Sequence, residues 1–230
     1  SLDSKKTFEV TDGWYNSGEP SFSSDGKYLF FVSDRDFKPV FSSTEYDHAY
    51  LSMSRVYLVT LAKETKSPFE PKSDEVAVKK EEEKPTAAPP AKPGAKPETP
   101  KPAAPAGPVS VKVDPDGLRD RIVALPVETA NYGNISVVGG SVYYMRAKDM
   151  ENQPSLMLYD LAELKEKDLG KINGYEISAD QKKMLVAKDR AFGIIDLPKG
   201  PISLDAKLDL SGMECTVDPR QEWDQIYEEC

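Results

Sequence analysis

The apolar positions of this chain fall in short runs set off by turn residues. The plainest example is Phe22-Ser23-Ser24-Asp25-Gly26-Lys27-Tyr28-Leu29-Phe30-Phe31-Val32-Ser33-Asp34-Arg35. Ser-Ser-Asp-Gly predicts the turn of a β-hairpin, with Gly26 where a left-handed backbone is needed. Leu29 to Val32 then follows as a continuous apolar run. A strand that does not alternate must be covered on both faces. A strand stacked between two neighbouring sheets meets that condition.

The pattern returns without gaps from Ile177 to Arg190, where Gln181 replaces the glycine, a poorer residue for that turn. A weaker copy runs from Ile135 to Met145, with Gly139-Gly140 as its turn. The last two copies start about 42 residues apart, within the roughly 40–45 residues of a four-stranded propeller blade. Phe22 and Ile135 are about 113 residues apart, so the first repeat carries long insertions. The predicted fold class is all-β: a partial β-propeller of about three four-stranded antiparallel blades, with a short C-terminal helix.

Taken in order, Lys6 to Thr11 alternates and predicts the outer strand of a preceding blade over 1–12. The first full blade spans 13–127, with strands from Glu19, at Tyr28 to Ser33, at Arg55 to Leu61 and at Arg121 to Pro126. Val109 to Asp114 resumes a β pattern inside it. Further blades are expected over 128–172 and 173–217, with third strands Leu156 to Leu161 and Phe192 to Leu197. Asp205 to Leu210 alternates and predicts the last outer strand. From 218 the character changes. Asp218 is placed to cap a helix and Pro219 to open it, while Trp223, Ile226 and Tyr227 sit at helical spacing. This predicts the start of a helical domain.

Two segments break the repeat. Asp36 to Ser54 carries Phe37, Phe41, Tyr46, Tyr50 and the chain's one histidine, His48. It reads either as a loop facing a channel or as an insertion packing its aromatics on the blade rim. Tyr46 and His48 are the candidate channel-loop residues. Lys79 to Pro108 holds nine of the 19 prolines and no aromatic, Leu, Ile or Val. Such a stretch buries too little apolar surface to offset its ordering entropy, which predicts a disordered, semi-extended excursion.

The formal net charge of −9 argues against a nucleic-acid partner, which asks for a basic face. Cys215 and Cys230 read as two free thiols rather than a disulfide framework or a metal site. No run reaches the length of a membrane span, and residues 1–10 do not read as a signal peptide. The chain begins without Met and stops inside a helical pattern, as a piece of a longer protein would; cytoplasm and periplasm both stay open. No nucleophile elbow, phosphate-cradling glycine loop or metal-ligand spacing is present. No catalytic, cofactor or metal residue is therefore nominated. The recurring Ser-x-Asp-Gly and Asp-Arg pairs read as turn caps.

The repeat resembles those of TolB-like and tricorn propellers. More specifically, His48-Ala49-Tyr50 with Met53 to Leu61, Asp114 through Val127, and the exit Val217-Asp218-Pro219-Arg220-Gln221-Glu222-Trp223 look like the second propeller of bacterial tricorn-like proteases. The resemblance implies a non-catalytic segment of a large serine peptidase whose catalytic residues lie elsewhere. It would serve as scaffold and as a gate for peptide substrates. Its partners would be the remaining blades and the catalytic domains of the same protein. The alternative is a TolB-like module for protein–protein interaction. Three blades cannot close a ring of about four to eight, so self-association through bare blade faces is also expected.

Overall fold

The computed structural model describes residues 5–36, 39–41, 48–50, 52–70, 111–148, 153–214 and 216–230. Tyr46, Cys215 and the Pro-rich segment 79–108 lie outside them. The described residues form a partial β-propeller. Its first sheet has the order β1 (Ser17–Phe22), β2 (Tyr28–Ser33), β5 (Arg55–Thr60), β6 (Ile122–Ala124). Between β2 and β5 the chain makes a separate small hairpin, β3 (Pro39–Phe41) with β4 (His48–Tyr50). The second sheet runs β7 (Asn131–Val138), β8 (Ser141–Ala147), β9 (Ser155–Asp160), β10 (Lys165–Lys171). The third has β11 (Gly174–Ile177), β12 (Lys183–Lys188) and β13 (Ala191–Asp196). All ladders are antiparallel, and a helix, α1 (Pro219–Glu229), ends the chain.

The continuous apolar runs have the expected cause. On β8 and β9, Val142, Tyr144, Met157 and Tyr159 face Phe30, Val32, Val56 and Leu58 of the first sheet. The alternate residues Tyr143, Met145, Leu156 and Leu158 face Tyr175, Met184 and Val186 of the third. The middle sheet is therefore buried on both sides. The outer face of the first sheet holds Phe31, Tyr57 and Val59 under Leu118 and Val10. The outer face of the third sheet is bare: Leu185 is 38% exposed and Ile194, paired directly opposite, 54%.

The repeated turn is the same object twice. The Ser23 hydroxyl donates to Asp25 at 2.6 Å and accepts from the Tyr28 amide at 2.9 Å. The Ser178 hydroxyl does the same with Asp180 at 2.6 Å and Lys183 at 2.9 Å. Gly26 sits at φ 69° and Gln181 at φ 57°, so the turn imposes its left-handed residue even where glycine is missing. The Asp-Arg pairs, in contrast, do different jobs. Asp189 and Arg190 (φ 50° and 61°) make the two-residue turn between β12 and β13, whereas Asp34 and Arg35 lead out of β2 into the insertion.

Four expectations are corrected. Residues 6–11 form no strand: a strand needs a neighbour to complete its ladder, and this segment has none among the described residues. Residues 111–114 are likewise not a strand, because they are held by clamp contacts at the base of the insertion. Residues 205–210 also fall short, so the third sheet has three strands rather than four. They do run beside β13, with the Leu208 amide donating to the Phe192 carbonyl at 2.8 Å. A Cβ at Gly193 would come within 2.7 Å of the Leu204 side chain and 3.0 Å of the Ala206 carbonyl, so only glycine admits that approach. Finally, Arg121 is not in a strand; it closes a short 3-10 turn over Arg119–Arg121.

The base of the Pro-rich insertion is tied shut. The Asp114 amide donates to the Leu61 carbonyl at 2.9 Å, and Lys112 pairs with Glu64 at 2.5 Å. The Arg121 guanidinium donates to the carbonyls of Thr60 (2.9 Å), Leu61 (3.1 Å), Asp114 (2.5 Å) and Asp116 (2.9 Å). The chain thus leaves and re-enters the first sheet at one point.

Candidate functional site

β1 and β7, the first strands of their sheets, pack side by side, as the inner strands of propeller blades do around a central channel. Both strands carry one extra residue, between Gly18 and Ser21 and between Gly133 and Ser136. Glu19 and Asn134 occupy these bulges at φ 53° and 49°. The Asn134 amide donates to the Glu19 carboxylate at 3.0 Å, and its side-chain amide donates to the Tyr175 carbonyl at 2.9 Å. The Tyr175 hydroxyl returns a hydrogen bond to the Asn134 carbonyl. The three inner strands are thereby cross-linked by polar contacts.

At the end of β1 and β7 where the 36–54 insertion leaves the sheet, an open cleft of about 370 Å³ is lined by Trp14, Tyr15, Asn16, Asp34, Ser52, Met53, Ser54 and Asn131. Trp14 is 86% exposed. Asp34 is the one charged residue in the lining. Its carboxylate accepts from the Ser54 hydroxyl and, at 3.4 Å, from the Asn16 side-chain amide. The Asp34 amide donates to the Asn16 carbonyl at 3.0 Å, which pins the strand ends together.

Next to the cleft, reached through Tyr15, charged groups pair with rings and with one another. The Arg35 guanidinium lies 5.7, 5.9 and 5.5 Å from the ring centres of Tyr15, Phe31 and Tyr57, a triple cation–π contact. Arg55 pairs with Asp36 at 2.9 Å, and the Tyr57 hydroxyl donates to Asp36 at 2.9 Å. Burial, and then the Asp36 hydrogen bond, push the Tyr57 phenol up to about 12. In the second sheet Arg146 pairs with Glu166 at 2.6 Å, which also accepts from the Tyr144 hydroxyl at 2.5 Å. Burial foremost and the Glu166 charge after it raise the Tyr144 phenol. These are structural pairs, although the buried Arg55 Nε has no hydrogen-bond partner among the described residues.

Of the two residues nominated from sequence, Tyr46 lies outside the described residues. His48 opens β4, paired with Phe41, and its side chain is likewise outside them. Among the described residues no group of three or more His, Cys, Asp or Glu side chains comes together as a metal site. Cys230 is an exposed free thiol. The cleft residues Trp14, Asp34 and Asn131 escaped the sequence reading because they are scattered along the chain and share no motif. The available signal was Trp14 itself, a large aromatic outside every apolar run.

Residues 1–198 match the family model described as the tricorn protease second β-propeller domain. The chain is 29% identical over 240 aligned residues to tricorn protease homolog 1 of Streptomyces coelicolor, covering 96% of this chain and 21% of that protein. It is 23% identical to a putative tricorn-like protease C-terminal subunit of Sulfurisphaera tokodaii, covering 98% of this chain and 24% of that protein. The crystal structure of the tricorn protease superposes with a TM-score of 0.70 at 17% identity, over 99% of this chain and 20% of that one. The chain therefore spans about a fifth to a quarter of the length of these relatives.

Proposed function

Because the chain belongs to the tricorn protease second β-propeller family, we propose that it is the non-catalytic propeller segment of a tricorn-like serine peptidase, acting as scaffold and as a control on peptide access. The family match across residues 1–198 carries this reading. The geometry supports it. The inner strands are cross-linked by polar contacts, and the cleft lies at the end of the first sheet from which the 36–54 insertion departs. Inner strands tied together, with an insertion at their end, suit filtering by loops. Within that reading Tyr46 and His48 belong to the rim and touch passing peptide.

The test compares this 230-residue chain with the full-length product of its gene, using a mixed peptide library and a serine-directed covalent probe. Cleavage and labelling by the full-length protein alone support the proposal. Activity in this chain alone would place catalysis within it and overturn the division of roles. If neither is active, the TolB-like interaction module takes its place. For the rim, Tyr46→Ala and His48→Ala in the full-length protein should shift the preference between long and short peptides while leaving cleavage of the shortest unchanged.

A further inference from the structure

We infer that the cleft between Trp14 and Asp34 binds an organic cation, namely the ammonium group of a peptide's amino terminus or lysine side chain. Two independent features select that chemistry. The first is Asp34, a half-buried carboxylate at the cleft wall. A carboxylate offers about four acceptor positions; the Ser54 hydroxyl and the Asn16 amide fill two, and neither brings a charge. Among the described residues no cation pairs with it. The two arginines that flank its strand ends are already committed, Arg35 to the rings of Tyr15, Phe31 and Tyr57, and Arg55 to Asp36.

The second feature is Trp14. An indole 86% exposed gains nothing from burial in this fold, yet it presents the aromatic face that attracts cations most strongly. A cation in this cleft has both a formal negative charge and an aromatic ring in its lining. Asn16 and Asn131 add neutral donors and acceptors for the backbone that carries it. The open lining and solvent exposure predict weak, salt-sensitive, rapidly reversible binding, as a transit point requires. That the carrier is a peptide rests on the function proposed above; the cation preference rests on the cleft alone.

The test is an NMR titration of the whole chain, following the backbone amides of Asn16, Asp34, Ser54 and Asn131. The probes are acetyl-Ala-Ala-Lys-Ala-Ala-amide, the same peptide with Nε-acetyl-lysine, and penta-alanine amide with a free or an acetylated amino terminus. Saturable shifts with the charged peptides and none with their neutral counterparts are expected. The lysine and free-terminus arms show which ammonium is preferred. Asp34→Asn should weaken binding at least 10-fold, and Trp14→Leu, at an exposed position that leaves the fold intact, several-fold. Equal binding of charged and neutral peptides would overturn the inference. So would unchanged affinity in both variants, or preferential binding of a neutral disaccharide run as a control for stacking alone. Because no proteolysis is read, this result is separate from the peptidase comparison.

Discussion

Single residues in this chain answer to their backbone first. Gln181 holds φ 57° because the Ser178–Asp180 hydrogen bonds leave the turn no other shape. A residue other than Gly, Asn or Asp is disfavoured by about 1 kcal/mol in that region. Gln181→Gly should therefore raise stability slightly, by up to about 0.6 kcal/mol, the gain in strain being mostly offset by the freer unfolded chain. The shift in denaturant midpoint checks it, and Gly26→Gln should move the midpoint the other way. Tyr57 gives a pH signature. Its folded pKa of about 12 lies above the ordinary value of 10, so its contribution is complete below pH 10. It is lost as pH rises toward 12, where the unfolded phenol has already ionised. Burial raises Tyr143, Tyr144 and Tyr175 in the same direction. Denaturation midpoints measured from pH 9 to 12 should fall, and Tyr57→Phe should flatten part of that slope.

At the scale of strands, position in the stack outweighs composition. Leu58 and Leu185 are both leucines on central strands of their sheets. Leu58 is fully buried between the first and second sheets, and Leu58→Ala should cost about 2–5 kcal/mol. Leu185 lies on the bare face, and Leu185→Ala should cost under about 1 kcal/mol. Equal losses in thermal or chemical unfolding would mean that the bare face is covered in solution. Sequence reasoning reached the strands with two-sided burial, such as β2, β8 and β9, and also β12 and β13 of the half-covered third sheet, where the repeated turn set the register. It overreached at 6–11, 111–114 and 205–210, where alternation alone was the guide. Alternation describes a surface that could pair; pairing also needs a partner strand within reach.

For the whole molecule, the consequence of an open ring is a large uncovered sheet face. Leu185, Phe192 and Ile194 share one side of the third sheet, with the Lys183–Asp196 ion pair at its edge. The chain should associate reversibly with rising concentration in sedimentation velocity, and Leu185→Glu with Ile194→Lys should return it to monomer. A wild-type chain that stays monomeric at high concentration would overturn this. The same openness separates what was legible early from what was not. Repeat length, turn chemistry, helix cap and the family resemblance are local patterns. They were readable because each is carried by residues adjacent along the chain. The cleft was not readable, because it gathers residues 14–16, 34, 52–54 and 131 from four separate stretches.

The sequence by itself determined the blade repeat, the twice-used Ser-x-Asp turn and the Asp218–Pro219 start of α1. Hydrogen bonds between neighbours a few residues apart enforce these wherever the chain is placed. Packing alone settled which sheet faces stay bare, that the inner strands are joined through Glu19, Asn134 and Tyr175, and that Trp14 and Asp34 share a cleft. Burial and charge compensation depend on what packs opposite, and a strand's own residues do not specify its neighbours.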